Sequence, residues 1–292
     1  MFLSTKKQAI SKHTYKNYVT LKNHLKNYEI YHKTKLMFSD IGLEFNDKFV
    51  NYCINHSQIK NNTIVSLLRL LKSFMNWTFE RDYHSNKNHK KIRLKEDDVE
   101  LVALTGSELM RLYNLDLTQN TTLSKIRDTF CLSCFTGARF SDIANLKMTD
   151  IANDTWNLRT QKTRDILTIP LNDYALEIIN RYKDSGTDFK VVSNQLSNKY
   201  LKELCKLAEI TGITKRTHYQ GSEKIEIIKP KYEFISTHTA RRTFVTLSLE
   251  KGMRPEIVMS ITGHKEYKTM KRYIKITSSA KQNEMKNVWK KI

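Results

Sequence analysis

Residues 121–142 read TTLSKIRDTFCLSCFTGARFSD, and the way this stretch divides sets the reading of the whole chain. Residues 121–136 predict a helix, apolar from Phe130 to Phe135, and Gly137 can adopt the left-handed conformation that commonly stops one. Arg139 follows the glycine turn and so projects from a helix junction, ahead of a further helix predicted over Ile143 to Met148. Asp142 stands three residues on, and taken singly Arg139 reads equally well as a surface arginine paired to that carboxylate. Cys131 and Cys134 form a C-x-x-C pair inside the apolar run. No second pair stands at zinc spacing and Cys53 and Cys205 are isolated, so all four are expected to be reduced, structural cysteines.

Toward the C-terminus the period changes. Trp156, Leu158, Ile166, Thr168 and Ile169 flank the polar tract Thr160 to Asp165, which predicts two antiparallel strands joined by a turn at Lys162 to Arg164. Helices are expected at about 172–184 and 195–209, and a second hairpin at 215–229, turning at Gly221. At the end of the chain Met285, Val288, Trp289 and Ile292 form an apolar stripe that needs a partner, on its own domain or on a neighbouring protomer.

Toward the N-terminus, Thr105-Gly-Ser-Glu108 fits a capping box and marks the start of a helix and of a domain. Upstream, residues 12–30 carry Tyr15, Tyr18, Val19 and Leu25 at helical spacing. Residues 61–80 do the same with Ile64, Leu67, Leu68, Leu71, Met75 and Phe79. A shorter helix is predicted to start at Asn46 or Asp47 and to carry Phe49, Val50 and Cys53. His84 to Lys95 (HSNKNHKKIRLK) is polar and basic and reads as an exposed linker. The expected architecture is mainly α with a small antiparallel β element, divided into a basic helical domain at 1–90 and a second domain at 91–292.

The 292 residues contain 50 Lys and Arg against 30 Asp and Glu, a net charge of +20 at pH 7. That exceeds what solubility requires and points to a polyanionic partner. Eighteen of the basic and six of the acidic side chains fall in residues 1–95, so the N-terminal third is the more basic part. Only 8 Gly and 3 Pro leave few tight turns, which favours helices over a sandwich or barrel. A membrane surface is disfavoured: no basic amphipathic helix has a wide apolar face, and no lipidation signal is present. No apolar run approaches the ~18 residues of a membrane span, and MFLSTKKQAI lacks the apolar core of a signal peptide. A cytoplasmic, nucleic-acid-binding protein is expected.

Four further strings carry chemically useful groups. Thr160-Gln-Lys162-Thr-Arg164 puts a lysine at the tip of the first predicted hairpin, where alone it reads as a solvated turn residue. Ser236-Thr-His238-Thr-Ala-Arg241-Arg242-Thr-Phe244 aims His238 and Arg241 to one side of a helix, a pairing that suggests a phosphate. Ile261-Thr-Gly263-His264 closes a short helix that Pro255 can open. Lys271-Arg-Tyr273-Ile follows, and a tyrosine there is on its own more often packed than reactive.

Arg, Lys, His-x-x-Arg, Gly-His and Tyr in this order resemble the catalytic pattern of the tyrosine recombinases, the phage and conjugative-transposon integrase family. The resemblance runs over residues 105–275. Residues 11–82, with Thr14, Tyr15 and Tyr18 in the first helix, are similar to the family's SAM-like core-binding domain. It implies a core-binding domain ahead of a tyrosine-recombinase catalytic domain. It assigns Arg139, Lys162, His238, Arg241, His264 and Tyr273 to the six active positions, with Asp142 as the acidic residue that supports them. The implied activity is breaking and rejoining of DNA through a 3′-phosphotyrosine. Tyr273 would be the nucleophile, Lys162 the general acid, His238 a proton acceptor or relay, and His264 a hydrogen-bond partner of the phosphate. A phosphodiester gains charge on its non-bridging oxygens during in-line attack, and two fixed guanidinium groups suit that transition state. No cofactor and no metal are expected, since no carboxylate cluster accompanies the basic motifs.

The implied partners are double-stranded DNA, a homo-oligomer that is a tetramer on two DNA sites, and accessory DNA-bending proteins, in a bacterial cytoplasm at the nucleoid. Two departures stand out. Ala240 and Arg242 occupy positions where the family often has a bulky aliphatic residue and a histidine, which implies altered packing. Many integrases also carry an arm-site-binding domain ahead of the core-binding domain, whereas helical pattern begins here near residue 11, as in a simple recombinase or a trimmed chain. Two rivals share parts of this reading. A type IB topoisomerase uses the same constellation to relax supercoils, and a silent DNA-binding regulator keeps the charge without the chemistry. The helical N-terminal domain argues against the first and the full set of six positions against the second.

Overall fold

The apolar spacing of the N-terminal third closes into a bundle of α1 (Phe2–Lys6), α2 (Lys12–His32), α3 (Leu43–Asn55) and α4 (Asn61–Phe79) in a computed structural model that describes residues 2–93, 95–161, 165–184 and 191–274. Ser11 caps α2 by accepting from the Thr14 amide (3.1 Å). Leu21 and Tyr28 of α2, Phe45, Phe49 and Tyr52 of α3, and Leu68, Leu71 and Met75 of α4 form the core of this unit. α3 starts at Leu43, ahead of the predicted Asn46 or Asp47, because its buried stripe runs from Phe45 through Phe49 to Tyr52.

The stretch predicted as an exposed linker is instead strapped onto α4. His89 is fully buried, one ring nitrogen against the Asn86 carbonyl (2.9 Å) and the other against Asn76 Oδ1 (2.8 Å). Ile92 is buried beside it, and Lys72 Nζ donates to the carbonyls of Lys90 and Ile92. Composition misleads here because His89 and Ile92 are hidden while Lys87, Lys90 and Lys91 stay in solvent.

The second unit is built around one helix. α5 (Gly106–Tyr113) opens with the predicted capping box: the Glu108 amide donates to Thr105 Oγ1 (3.2 Å) and the Thr105 amide to Glu108 Oε2 (2.7 Å). α6 (Thr121–Thr136) is buried without a break from Ile126 to Thr136, and α5, α8 (Asp173–Asp184), α9 (Asn194–Leu207) and α10 (Thr237–Glu250) pack around it. Its one buried carboxylate, Asp128, accepts from Arg127 Nε (2.9 Å), Arg181 Nη1 (3.2 Å) and Tyr182 Oη (2.9 Å), which offsets the cost of burying charge. Cys131 and Cys134 lie in this core. All four cysteines are free and buried, and burial pushes the thiols of Cys53 and Cys205 up to about 12.

α7 is a single turn, Phe140–Ile143, rather than a helix over Ile143 to Met148. Ile143 is fully buried, and the chain must reverse after it to enter a three-stranded antiparallel sheet. β1 (Ile151–Ala152), β2 (Thr155–Arg159) and β3 (Ile166–Pro170) pair with Trp156 opposite Ile169 and Leu158 opposite Leu167. The two predicted strands are present, and β1 is too short to leave a period in the sequence. α11 (Pro255–Thr262) opens on Pro255 and stops at Gly263 (φ 68°), as expected, and α12 (Tyr267–Ile274) follows.

The second predicted hairpin forms as β4 (Ile213–Gln220) and β5 (Glu223–Pro230), turning at Gly221 (φ 62°). Its tip, residues 215–227, is part of the first compact unit with residues 1–100, and residues 101–214 and 228–292 form the second. Asn61 grips the turn from both sides, donating from Nδ2 to the Gly221 carbonyl (2.9 Å) and accepting from its amide (2.7 Å). Lys215 pairs across the hairpin with Glu226 (2.6 Å). Among the described residues no helix is long and apolar enough to cross a membrane. The turn at Lys162 to Arg164 and the stripe Met285, Val288, Trp289 and Ile292 lie outside the described residues.

Gly137 is where α6 stops, with φ 70° and its amide donating to the Ser133 carbonyl (2.9 Å). A Cβ there would sit 2.5 Å from Phe244 Cδ1 and 2.8 Å from Thr262 Cγ2. Gly137→Ala adds a left-handed backbone penalty of ~1 kcal/mol to an overpacking cost of ~1–3 kcal/mol. Thermal unfolding of this variant is expected roughly 5–15 °C below the parent. An unchanged Tm would show that the junction can open without cost.

Candidate active site

Arg241 lies one helical turn after His238 on α10, and its side chain is turned inward, only 2% exposed. Nη1 donates to the Gly137 carbonyl (2.8 Å), Nη2 donates to the Thr262 carbonyl, and Nη2 also stands 3.3 Å from His264 Nε2. One guanidinium therefore joins the ends of α6 and α11, where unpaired carbonyls and the helix dipoles favour a cation. Burial and the neighbouring Arg139 lower its pKa to about 10, so it stays charged at neutral pH.

His264 is fixed from its other side by Thr262. The Thr262 hydroxyl donates to the Val258 carbonyl (2.6 Å), so toward His264 Nδ1 (2.7 Å) it can only accept. The network thus assigns the proton to Nδ1 and leaves Nε2 as the acceptor facing Arg241, which has donors alone. Burial first, then the charges of Arg241, Arg139 and His238, lower the His264 pKa to about 4. The imidazole is neutral at pH 7.

Arg139 stands at the mouth of the α6–α7 junction. Its Nη1 is 3.8 Å from Asp142 Oδ2, an ion-pair separation too long for a hydrogen bond, and the side chain is 22% exposed. Asp142, almost fully buried, uses its other oxygen to accept the Gln161 amide (2.9 Å). The turn bearing Arg139 is thereby tied to the β2–β3 loop. Lys162, the next residue along that loop, lies outside the described residues.

Tyr273 packs from α12 against Phe244, Val245, Leu249, Val258 and Met270 and is 5% exposed. Burial raises its hydroxyl pKa, while the positive charges of Arg242, Arg241 and Arg272 oppose that rise. His238, on the first turn of α10, is exposed. Five of the six candidates, Arg139, His238, Arg241, His264 and Tyr273, thus share one positive neighbourhood with Asp142 at its edge. Sequence reasoning missed the parts played by Thr262, Arg242, Arg272 and the Gly137 carbonyl. Thr262 sat inside a quoted motif, but nothing in a one-dimensional string shows which hydroxyl or carbonyl meets a given ring. Ala240, fully buried, leaves α10 room to lie close to α6.

Residues 103–279 match the model of the phage integrase family, and residues 1–94 match the phage integrase SAM-like domain. A tyrosine recombinase of Thermosipho africanus is 25% identical over 239 residues, 78% of this chain and 77% of its own. A probable integrase/recombinase of Methanocaldococcus jannaschii is 23% identical over 235 residues, 76% of this chain and 68% of its own. The fold is similar to that of lambda integrase solved as a dimer on a core site, with a TM-score of 0.67 at 17% identity across 90% of this chain and 89% of that one. It is also similar to the Tn1549 transposon integrase in complex with circular-intermediate DNA, with a TM-score of 0.65 at 18% identity across 95% and 94%. The family match spans the larger part of the sequence, over the same residues that carry the clustered arginines, histidines and tyrosine: the chain belongs to the phage integrase family of tyrosine recombinases and is a site-specific recombinase.

Proposed function

We propose that this recombinase cleaves double-stranded DNA with Tyr273 as nucleophile and reseals it without any external energy source. The Tyr273 oxygen attacks phosphorus in line, the P–O5′ bond breaks, and a 3′-phosphotyrosine forms. The tyrosine proton passes to His238, and the leaving 5′-oxygen takes a proton from Lys162. Arg139 and Arg241 bind the non-bridging oxygens, where charge grows in the transition state, and by analogy with arginine fingers each contributes ~10³-fold in rate. Asp142 orients Arg139. The observation that carries this reading is the Arg241 guanidinium held between the Gly137 and Thr262 carbonyls, within reach of His264 and in the electrostatic field of Tyr273. Resealing is the reverse reaction with another strand's 5′-hydroxyl, which makes the enzyme an exchanger rather than a nuclease.

His264 enters this scheme neutral, with no proton on the nitrogen that faces Arg241. A bound phosphate brings negative charge beside it, which favours uptake of a proton at Nε2 and a charge-assisted hydrogen bond to the phosphate. The net charge of +20 supports duplex DNA as partner. Lambda integrase has been solved as a dimer on a core site and as a tetramer on a Holliday junction, and the same symmetry suits this chain: a homo-oligomer, tetrameric on two sites, assisted by accessory DNA-bending proteins. Such an enzyme works in the cytoplasm, at the nucleoid.

The direct test is covalent capture. Sequencing DNA trapped on the protein recovers the attachment site, and a nicked duplex of that site loses its short 5′-hydroxyl strand on cleavage and so traps the intermediate. The parent is expected to give a protein–DNA adduct on a denaturing gel, and Tyr273→Phe to bind the same duplex and give none. An adduct persisting in that variant would move the nucleophile elsewhere.

The neutral state of His264 has its own consequence for stability. Its pKa falls from 6.5 to about 4 on folding, so the unfolded chain holds more protons between those values. The contribution to stability is complete above about pH 6.5 and is lost as pH falls toward 4. Between pH 7 and pH 5 the parent is therefore expected to lose about 1–2 kcal/mol more than His264→Gln, measured by thermal unfolding of both proteins. Equal losses would mean that His264 is not held neutral.

A further inference from the structure

Among the described residues, the loop between β2 and β3 is fastened at its neck on both sides, and Asp142 accounts for the fastening on one of them. The neck is closed by Thr160 and Asp165: the Thr160 amide donates to the Asp165 carbonyl (2.9 Å) and the Asp165 amide to Thr160 Oγ1 (3.1 Å). On the Thr160 side, Gln161 is anchored through its amide to Asp142. On the other side, Asp165 Oδ1 accepts from Lys265 Nζ at 2.8 Å. Lys265 directly follows His264, so each anchor of the neck ends beside a group of the phosphate site, one next to Arg139 and one next to His264. Lys162 follows Gln161 and precedes Asp165 by three residues.

We propose that Asp165 and Lys265 form a positioning pair for Lys162, setting the height and tilt of the loop neck so that the lysine's ammonium reaches the leaving 5′-oxygen. The inference rests on Lys162 acting as the general acid. A lysine is a point charge on a four-carbon stem with no planar fork to orient it, so its placement depends on the backbone it extends from. Adjacent Cα atoms are ~3.8 Å apart, so Gln161 sets where the chain leaves the Thr160 side of the neck toward Lys162, and Asp165 sets where it returns three residues later. A general acid has to come within ~3 Å of its oxygen, and ~1 Å of misplacement can cost ~10²-fold.

The exposure of the pair argues for positioning over stability. Lys265 is 72% exposed and Asp165 28%, and an ion pair in that setting contributes little to folding. A lone carboxylate near the phosphate site would repel DNA, and Lys265 neutralises it in place. If Lys265 were instead only a phosphate contact, Asp165→Ala would leave cleavage intact or improve binding.

The test uses single-turnover cleavage by the full-length protein at saturating concentration, on the nicked attachment-site duplex and on the same duplex with sulfur at the 5′-bridging position. A thiolate leaves without a proton, so a defect confined to general-acid delivery disappears on the sulfur substrate. Asp165→Ala and Lys265→Ala are each expected to slow natural cleavage roughly 10- to 100-fold with unchanged Tm. The double variant should be no slower than the slower single one, and Asp165→Glu should recover part of the rate. All should approach the parental rate on the sulfur substrate. Parental rates for Asp165→Ala on the natural duplex, or equal defects on both duplexes, would overturn the proposal. Lys162→Ala is the control that separates the two readings: its rescue by sulfur with no rescue of Asp165→Ala sinks the positioning pair alone, and its own failure to be rescued sinks the general-acid assignment beneath it.

Discussion

A buried guanidinium has to find partners for its donors, and in this protein Arg241 finds them at the ends of two helices. α6 and α11 both stop at a left-handed glycine, and Arg241 takes the Gly137 carbonyl from one end and the Thr262 carbonyl from the other. Leaving such a cation unpaired would cost several kcal/mol, so the two helix ends and the arginine hold one another in place. Most of the site's geometry descends from that arrangement. Gly137 can have no side chain because Phe244 and Thr262 close over it, and Arg139 leaves the junction at the point where Gly137 ends α6. His264 leaves α11 at the residue after Gly263, with its ring held between Thr262 and Arg241.

Under the proposed reaction the same bonds serve folding and chemistry. Three Arg241 contacts go to the protein and orient the group, so that binding a phosphate requires little reorganisation at the moment of reaction. The helix-end carbonyls keep a second arginine tolerable close to Arg139, whose charge lowers the Arg241 pKa. Tyr273 lies in an apolar cluster that penalises its ionised form, and the surrounding arginines work against that penalty. Its ionisation is thus tied to the same positive field that the proposed reaction uses to hold the phosphate.

Much of this was legible in the sequence where a local rule applied. The Thr105–Glu108 capping box, the stop at Gly137, the Pro255 start and Gly263 stop of α11, the antiparallel β2–β3 pair and the hairpin turning at Gly221 follow from short-range chemistry that a string of residues displays. What escaped was set by distant contacts. The stretch His84 to Lys95 has the composition of a linker, yet His89 and Ile92 bury because Asn76 and Lys72 on α4 wait for them. The predicted helix over Ile143 to Met148 gave way to one turn, since the buried Ile143 and the entry to β1 fix where the chain bends. At the site, order along the chain identified the candidates. The tautomer of His264, the grip of Arg241 on two carbonyls and the Asp142–Gln161 tie exist only once α6, α10 and α11 are assembled.

The central claim is that Arg241 is a structural bond and a phosphate ligand at once, whereas Arg139 is a ligand on a turn that folds without it. Thermal unfolding and covalent capture of Arg241→Lys and Arg139→Lys separate the two. Lysine cannot reach two carbonyls in the fixed fork of a guanidinium, so Arg241→Lys is predicted to melt roughly 5–15 °C below the parent, through ~2–4 kcal/mol of lost hydrogen bonding. Arg139→Lys is predicted to melt with the parent, and both variants to lose adduct formation. An Arg241→Lys protein as stable as the parent would contradict the account, because the helix ends would then stand without the arginine.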